Sequence, residues 1–415
     1  MTPEVKERIE QIRHGNVPEG YKRTKAGIYP EDWVELTMGD VYAERKEPGN
    51  ENLPLLMVSI YSGVSDGEVD EADLPKKVKR IEDKSQYKRA ASGDLVFNMM
   101  RAWQGAIGSV RTEGMVSPAY IVAEPNELVD PLFMDYFMRT PKMIGTVHKQ
   151  SYGVTDFRLR LYWDSFSPIN CVLPSVPEQR QIGEMIDVQN KVIKLKEKLL
   201  AEKQRQKKYL MQQLLTGKKR LPGFDGEWQF VRASQLFKSV SNKKHDGTLE
   251  VLSATQDRGI IPRCQVDIDI KYAEESLTGY KKVEKGNFVI SLRSFQGGIE
   301  YSEYTGIVSP AYTVLASISP VEDSYYKQFF KSADYINRLN IAVYGIRDGK
   351  QISYDDFGRL KIPYPPLDEQ RAIAVILSTA DQEIELLRKS IEQEEQKKKA
   401  LMQLLLTGIV RMPVD

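Results

Sequence analysis

A chain of 415 residues, 41% apolar and 28% charged, has the profile of a soluble globular protein of two or three domains. No apolar run approaches the ~20 residues of a membrane span, the N-terminus lacks a signal-peptide core, and Cys171 and Cys264 stand far apart with no histidine beside them. Membrane insertion, a disulfide framework and a zinc cluster are therefore not expected, and a reducing cytoplasm is. The net charge of +1 leaves any nucleic-acid surface to a local patch.

In chain order, VKERIEQIRHG (5–15) reads either as a truncated helix end or as a loose N-terminal arm. A mixed stretch punctuated by Gly and Pro follows. Its short β-prone runs, LVF (95–97) and VSPAYIV (116–122), are bounded by Gly, Asp and Asn, and PLFMDYFMRTPKM (131–143) is aromatic and helix-like. These predict a compact α+β domain. VSPAY itself, mostly apolar, reads as core. The proline-rich stop LPSVPEQR (173–180) then opens a helix with few breakers, with Glu178 at the positive end of its dipole. The helix closes at LMQQLLTG (210–217), where Gly217 supplies a left-handed stop.

The same order then begins again. GIYPEDW (27–33) has a counterpart in GFDGEW (223–228), and YKRAASGDLVF (87–97) in YKKVEKGNFVI (280–290). RAWQGAI (101–107) matches RSFQGGI (293–299), and GMVSPAYIV (114–122) matches GIVSPAYTV (306–314). The strand-like runs NFVISL (287–292) and AYTVLA (311–316) and the aromatic SYYKQFFKSADYINRL (324–339) complete the second mixed stretch. SYGVTD (151–156) parallels VYGIRD (343–348), PEQRQI (177–182) parallels DEQRAI (368–373), and LMQLLLTG (401–408) closes the second copy at Gly408. The offset drifts only from 195 at Trp33/Trp228 to 191 at the end, so an ordered duplication covers most of the chain. It divides into an N-terminal arm with a first globular domain (1–175), a first spacer helix (176–217), a second globular domain (218–366), and a second helix with a C-terminal tail (367–415).

The two helices carry the clearest periodicity. Ile373, Leu377, Ala380, Ile384, Leu387 and Ile391 step by 4, 3, 4, 3 and 4, a 3.5-residue repeat that argues for coiled-coil packing. In the first copy Met185, Val188, Val192, Leu195 and Leu199 form a second stripe beside the main seam. At 1.5 Å per residue each helix reaches ~55 Å. Residues 178–215 hold nine basic and five acidic side chains (+4), whereas 369–406 hold six and seven (−1). That difference favours the helices meeting each other; the alternative is that each packs on its own globular domain.

Two α+β domains alternating with two long helices that open at EQR and close at LLTG resemble the specificity (S) subunit of type I restriction–modification systems. The resemblance covers nearly the whole chain. It implies two target recognition domains, each reading one half of a bipartite asymmetric double-stranded DNA site, and helices that pair as an antiparallel coiled coil and hold the domains at a fixed spacing. It implies docking of two methyltransferase (modification) subunits, which carry S-adenosylmethionine, and of a restriction/translocase subunit that uses ATP and Mg. The arm at 5–15 would then meet the C-terminal helix.

The chain has no N-P-P-[FY] or D-P-P-Y tetrapeptide, no Gly-rich turn suited to S-adenosylmethionine and no G-x-x-x-x-G-K-[ST] loop, and His14, His148 and His245 are scattered. No catalysis, cofactor or metal is expected in this chain. A stand-alone DNA methyltransferase or nuclease with divergent motifs, and a coiled-coil scaffold that binds protein only, are the competing readings. Methyl transfer by the pure protein would favour the first. A salt-dependent shift of random duplex would count against the second.

For DNA, Arg101 and Gln104 in RAWQG, and Arg293 and Gln296 in RSFQG, follow a strand and precede glycines that let backbone approach a phosphate. The alternative is a structural turn with the arginine paired to an acid. A motif common to both copies cannot encode two different half-sites, so these residues are expected on phosphate. Tyr152 and Tyr344, each before a glycine that shapes the turn, are further candidates for backbone contact, the alternative again being a structural turn. Base reading is expected where the copies differ: Arg158 and Arg160 in VTDFRLR, and Arg347, Lys350 and Gln351 in IRDGKQ. The loop LPKKVKR, with Lys76, Lys77, Lys79 and Arg80, is either another reader or a solvated surface. For the partner subunits, Met185, Val188, Val192, Leu195 and Leu199, with Ile384, Leu387 and Ile391, are the candidate docking residues.

Overall fold

The computed structural model describes residues 2–67, 83–155, 158–266, 274–342 and 352–413. The chain forms two compact units, one of Met1–Lys196 with Ser390–Asp415 and the other of Glu197–Lys389.

In the first unit, helix α1 (Pro3–Arg13) precedes β1 (Tyr42–Arg45), β2 (Val58–Ser59), β3 (Gly63–Val64), β4 (Leu95–Asn98), β5 (Ile107–Ser109) and β6 (Tyr120–Pro125). Strands β1, β6, β4 and β5 lie in that order in one antiparallel sheet, with Val122 opposite Val96, and β2 and β3 form a short hairpin. Leu95, Val96 and Phe97 are all fully buried because the sheet is covered on both faces. Successive side chains alternate. Leu95 and Phe97 join the helix-facing core, whereas Val96 and Val122 join a second layer with Leu56 and Val58 of the hairpin. Of VSPAY, Val116 is buried in this layer and Ser117 to Tyr120 are only half-buried.

The helix-facing core is built by α2 (Pro131–Phe137), α3 (Pro141–Gln150) and the start of α4 (Val176–Leu214). The aromatic stretch 131–143 is thus two helices and not one. Thr140 caps Met143 N at 3.3 Å and Pro141 takes the first turn of α3, so the chain stops and restarts there.

The second unit repeats the plan. Strands β7 (Phe237–Val240), β8 (Leu252–Thr255), β9 (Gly259–Pro262), β10 (Phe288–Ile290), β11 (Glu300–Tyr301) and β12 (Thr313–Ser317) precede α5 (Asp323–Phe329), α6 (Ala333–Ala342) and α7 (Leu367–Leu405). The sheet order β7-β12-β10-β11 is that of the first unit, and β8 and β9 form the matching hairpin. Phe288, Ile290 and Leu315 face the helices, while Val289 and Val314 pack with Leu252 and Ile260 of the hairpin.

Both long helices have 39 residues. Within the first unit they run antiparallel: Gln189 Nε2 donates to Glu394 Oε2 at 2.7 Å, and Lys196 Nζ to Ser390 Oγ and Glu394 Oε1 at 2.8 Å each. Within the second, Lys203 pairs with Glu383 at 2.7 Å and Lys207 with Asp381 at 2.5 Å. Lysines on α4 meet acids on α7, as the charge difference predicts. Ile182, Ile186 and Ile193 and, from α7, Ile373, Leu377, Ile384 and Ile391 are buried.

The helix ends explain the duplicated EQR and LLTG. Gly217 (φ +72°) and Gly408 (φ +71°) stop the helices, and the leucine pairs Leu214–Leu215 and Leu405–Leu406 are buried in the cores of the second and first unit. A Cβ on Gly217 would stand 3.2 Å from the Trp228 ring, and one on Gly408 would stand 3.1 Å from Trp33. Three residues later an arginine reaches the start of the antiparallel helix. Arg220 Nε and Nη2 donate to Glu369, both at 2.7 Å, with Trp228 Nε1 adding a bond at 2.8 Å. Arg411 Nε and Nη2 donate to Glu178 at 2.8 Å, and its Nη1 and Nη2 donate to Asp32 at 2.8 and 2.6 Å. The next residue of each motif, Gln179 or Gln370, accepts from the backbone N–H of Asp130 or Glu322 at 2.9 Å, and Asp130 and Glu322 are the N-caps of α2 and α5. Helix α1 does meet the C-terminal segment: Arg8 Nη1 donates to the Ile409 carbonyl at 2.5 Å, and Tyr21 Oη to that of Gly408 at 2.7 Å.

Glu369 is fully buried, so removing its partner leaves a desolvated charge. A fully buried pair broken in this way costs roughly 3–5 kcal/mol. Arg220 is 25% exposed, so Arg220→Ala is expected to destabilise the second unit by about 2–3 kcal/mol in denaturant unfolding. The double variant Arg220→Ala/Glu369→Gln should recover part of that loss.

Candidate nucleic-acid interface

The duplicated RxxQG loops sit at the end of the third strand in each sheet, β4 and β10, where a short helical turn reverses the chain. Arg101 opens the turn Ala102–Gln104, which ends at Gly105 (φ +102°). Arg293 opens Ser294–Gly297, which ends at Gly298 (φ +80°). The small residue after each arginine, Ala102 or Ser294, is buried, and the arginine and glutamine beside it are exposed. Arg101 Nε donates to Gln104 Oε1 at 3.0 Å. Among the described residues neither arginine makes a salt bridge, so the pairing to an acid that a structural turn would use is not found.

Sequence reasoning missed the residue before each arginine. Met100 and Leu292 stand at the same offset of 192 as their arginines and are 46% and 50% exposed. A large apolar side chain held in water next to a guanidinium in both copies has no folding rationale. The signal was the offset, hidden because the letters differ.

In the first unit the Tyr152 segment joins this loop. Tyr152 and Arg160 exchange backbone hydrogen bonds at 3.0 and 2.9 Å, and the N–H of Leu161 donates to the Met99 carbonyl at 2.9 Å. A Cβ on Gly153 would collide with the Arg158 carbonyl, so glycine is required for this turn. Tyr152, Arg158 and Arg160 are all exposed. These backbone bonds tie the segment bearing Tyr152 and Arg160 to the strand end that leads into Arg101 and Gln104, with Arg158 exposed in the intervening turn. Lys76, Lys77, Lys79, Arg80, Tyr344, Arg347, Lys350 and Gln351 lie outside the described residues.

Two half-buried lysines bond the strand that crosses each sheet. Lys88 Nζ donates to the Tyr120 carbonyl at 2.7 Å, and Lys281 Nζ to that of Tyr312 at 2.5 Å. Burial lowers the pKa of both ammonium groups. In the second unit Lys331 Nζ donates to the Gly297 carbonyl at 2.9 Å and to Glu300 Oε1 at 2.5 Å. Burial pushes the Glu300 carboxyl up to about 7, although the charge of Lys331 pulls it down.

The helix stripe divides. In the first unit Met185, Val188 and Leu195 are 39%, 59% and 65% exposed, and in the second Leu199 is 48% exposed. Val192 and Leu387 are half-buried. Ile384 and Ile391, grouped with them as partner-facing, are corrected: at 8% and 9% exposed they are buried within their own units and are not offered to a partner. The 4-3-4 spacing that marks them is the signature of a packed seam. The exposed counterpart on α7 is Leu386, 67% exposed and 191 residues after Leu195.

Residues 226–396 match the family described as type I restriction modification DNA specificity domain. Two specificity subunits of Methanocaldococcus jannaschii align over nearly full length. The type I restriction enzyme MjaVIII subunit is 24% identical, covering 95% of this chain and 96% of that one, and the provisionally named MjaX subunit is 24% identical, covering 95% and 97%. The fold is that of the type I restriction–modification S subunit from M. genitalium, with a TM-score of 0.53 at 12% identity over 90% of this chain and 96% of that one. Residues 226–396 thus carry a type I restriction modification DNA specificity domain, and the chain as a whole, with two α+β units of one strand order, is similar over nearly its full length to the specificity subunits of type I restriction–modification systems.

Proposed function

We propose that this chain reads a bipartite, asymmetric DNA sequence, one half with each α+β unit, and docks two modification subunits on its long helices. The observation that carries the reading is the duplicated RxxQG turn, exposed at the same place in two sheets of the same strand order. Arginine and glutamine beside a closely approaching glycine backbone suit phosphate contacts, which set position and orientation and carry no sequence information. Residues that differ between the copies, Arg158 and Arg160 among them, supply discrimination. Leu195 and Leu386, each an exposed leucine at the same register of its helix, give two equivalent docking points, which supports two copies of the partner. S-adenosylmethionine on those partners, and ATP and Mg on a restriction subunit, supply the chemistry this chain lacks.

Three outcomes test the reading. Exchange of residues 224–361 for those of a relative, in a strain carrying the modification subunit, should change only the second half of the methylated sequence found by sequencing host DNA. An unchanged motif would remove the assignment of one unit to each half-site. Arg101→Ala and Arg293→Ala should each weaken duplex binding to a similar extent on every sequence and lower the slope of log K against log salt by about 1, as loss of one phosphate contact requires. Leu195→Asp should reduce co-purification of the modification subunit while the unfolding midpoint of the isolated chain stays within a degree or two of wild type, since the side chain is already in water; wild-type recovery of the partner would place docking elsewhere.

A further inference from the structure

The two short hairpins, β2–β3 and β8–β9, are the parts of each unit that the duplication keeps in shape and changes in content. Leu56 and Leu252 root them in equivalent layers, and their turn glycines, Gly63 (φ +74°) and Gly259 (φ +75°), fall at the same offset of 196. Between these anchors the tips read Tyr61-Ser62 in one copy and Asp257-Arg258 in the other.

Each tip lies against the RxxQG turn of its own unit. A Cβ on Gly105 would stand 3.5 Å from the Ile60 carbonyl, and one on Gly297 would stand 2.8 Å from Gln256 Cγ. In the second unit one ammonium joins the two: Lys331 Nζ donates to the Gln256 carbonyl of the hairpin at 3.2 Å and to the Gly297 carbonyl of the turn at 2.9 Å. The equivalent residue of the first unit, Arg139, 192 positions earlier, is held by Asp135 at 2.5 Å. Asp135 in turn accepts from Ser109 N at 3.0 Å and lies under Gly63. A cation at this position thus fastens hairpin to turn in the second unit, whereas in the first Arg139 is paired with Asp135 beneath the hairpin glycine Gly63.

The tips themselves do nothing for the fold. Tyr61 is 88% exposed, and the Asp257 and Arg258 side chains are 79% and 50% exposed and only 3.9 Å apart at their nearest charged atoms. An exposed carboxylate beside a phosphate-binding turn is repelled by a DNA backbone, and it becomes favourable only on a donor such as the cytosine N4 amino group. An arginine next to it matches the O6 and N7 acceptors of guanine. We propose that the hairpin tips are base-reading elements: Asp257 and Arg258 read G·C pairs in the second half-site, and Tyr61 and Ser62 occupy the corresponding place on the first. The inference rests on the reading of the units as DNA-recognition heads.

The test uses the full chain assembled with its modification subunits and competition binding on duplexes in which each position of the methylated site is varied in turn. Arg258→Ala and Asp257→Asn leave the hairpin glycine and its buried anchors in place. Arg258→Ala should cut the preference for the native base about ten- to a hundredfold at one or two G·C positions of the second half-site and leave the first half-site and the spacer unchanged. Tyr61→Asp/Ser62→Arg should change preference in the first half-site alone. A uniform loss over all duplexes, or no change at any position, overturns the proposal, because a phosphate contact or a damaged hairpin weakens every sequence alike. The recognition-head reading fails separately, if exchange of residues 224–361 leaves the second half-site as it was.

Discussion

One buried carboxylate in each unit fixes the rest. Glu178 and Glu369 lie at the starts of the long helices, at 1% and 0% exposure, where an unpaired charge would be strongly unfavourable. Each is neutralised by an arginine three residues beyond the glycine that stops the antiparallel helix. The pairing constrains both ends at once. If either helix slid by one heptad, about 10 Å of rise, the guanidinium could not reach and the carboxylate would be left without a partner. Apolar seams alone tolerate such slips, because one isoleucine layer resembles the next. The buried ion pair therefore specifies register within each unit, and the glycine, tryptophan and leucine pair around it follow from that task.

The same short motif positions the helices that pack on each sheet. Gln179 and Gln370 follow the buried glutamates and accept from the backbone N–H of Asp130 and Glu322, the caps of α2 and α5. Those helices pack directly on the sheets through Phe133, Met134, Tyr325 and Phe329. A rigid path thus runs from helix register to sheet, and from sheet to the turn at its edge. Binding groups held to within an ångström need such support, since a loop positioned only by its own sequence spends much of its binding energy on being ordered.

Much of this was legible in the letters. The ordered duplication, the glycine stops and the 3.5-residue seam all follow from spacing, and the opposite charge balance of the helices anticipates the lysine-to-acid pairs between them. Two things were not legible. The periodic isoleucines Ile384 and Ile391 carry the strongest pattern in α7 for the same reason that they are unavailable to a partner: regular spacing marks what is packed, whereas the exposed Leu195 and Leu386 show only as equivalents of each other. The hairpins were hidden differently. Their copies share few letters, and only the structure shows that Ser59–Gly63 and Thr255–Gly259 are the same turn. The aromatic stretch that splits at Thr140 and Pro141 did carry its signal, a capping residue followed by proline, but apolar periodicity across the break masks it.

The division between what the copies share and what they do not follows from the energetics of specificity. Discrimination is a difference between affinities, so a contact made equally to every sequence contributes nothing to it, however strong. On the proposed reading, turns bearing Arg101 and Arg293 can remain alike in both units because they would act on the uniform part of the duplex. Residues that discriminate must differ between units, and they can change freely only where the fold does not depend on them. Buried positions fail that condition: replacing Leu56 or Phe288 opens a cavity costing several kcal/mol, a large part of the margin by which a domain is stable. Surface positions far from the turn meet it but reach no base. On the proposed reading the hairpin tips satisfy both requirements, being exposed to solvent and lying against the RxxQG turn of their own unit. A duplicated recognition protein can acquire a new half-site there without loosening the helix ends that hold each unit in register.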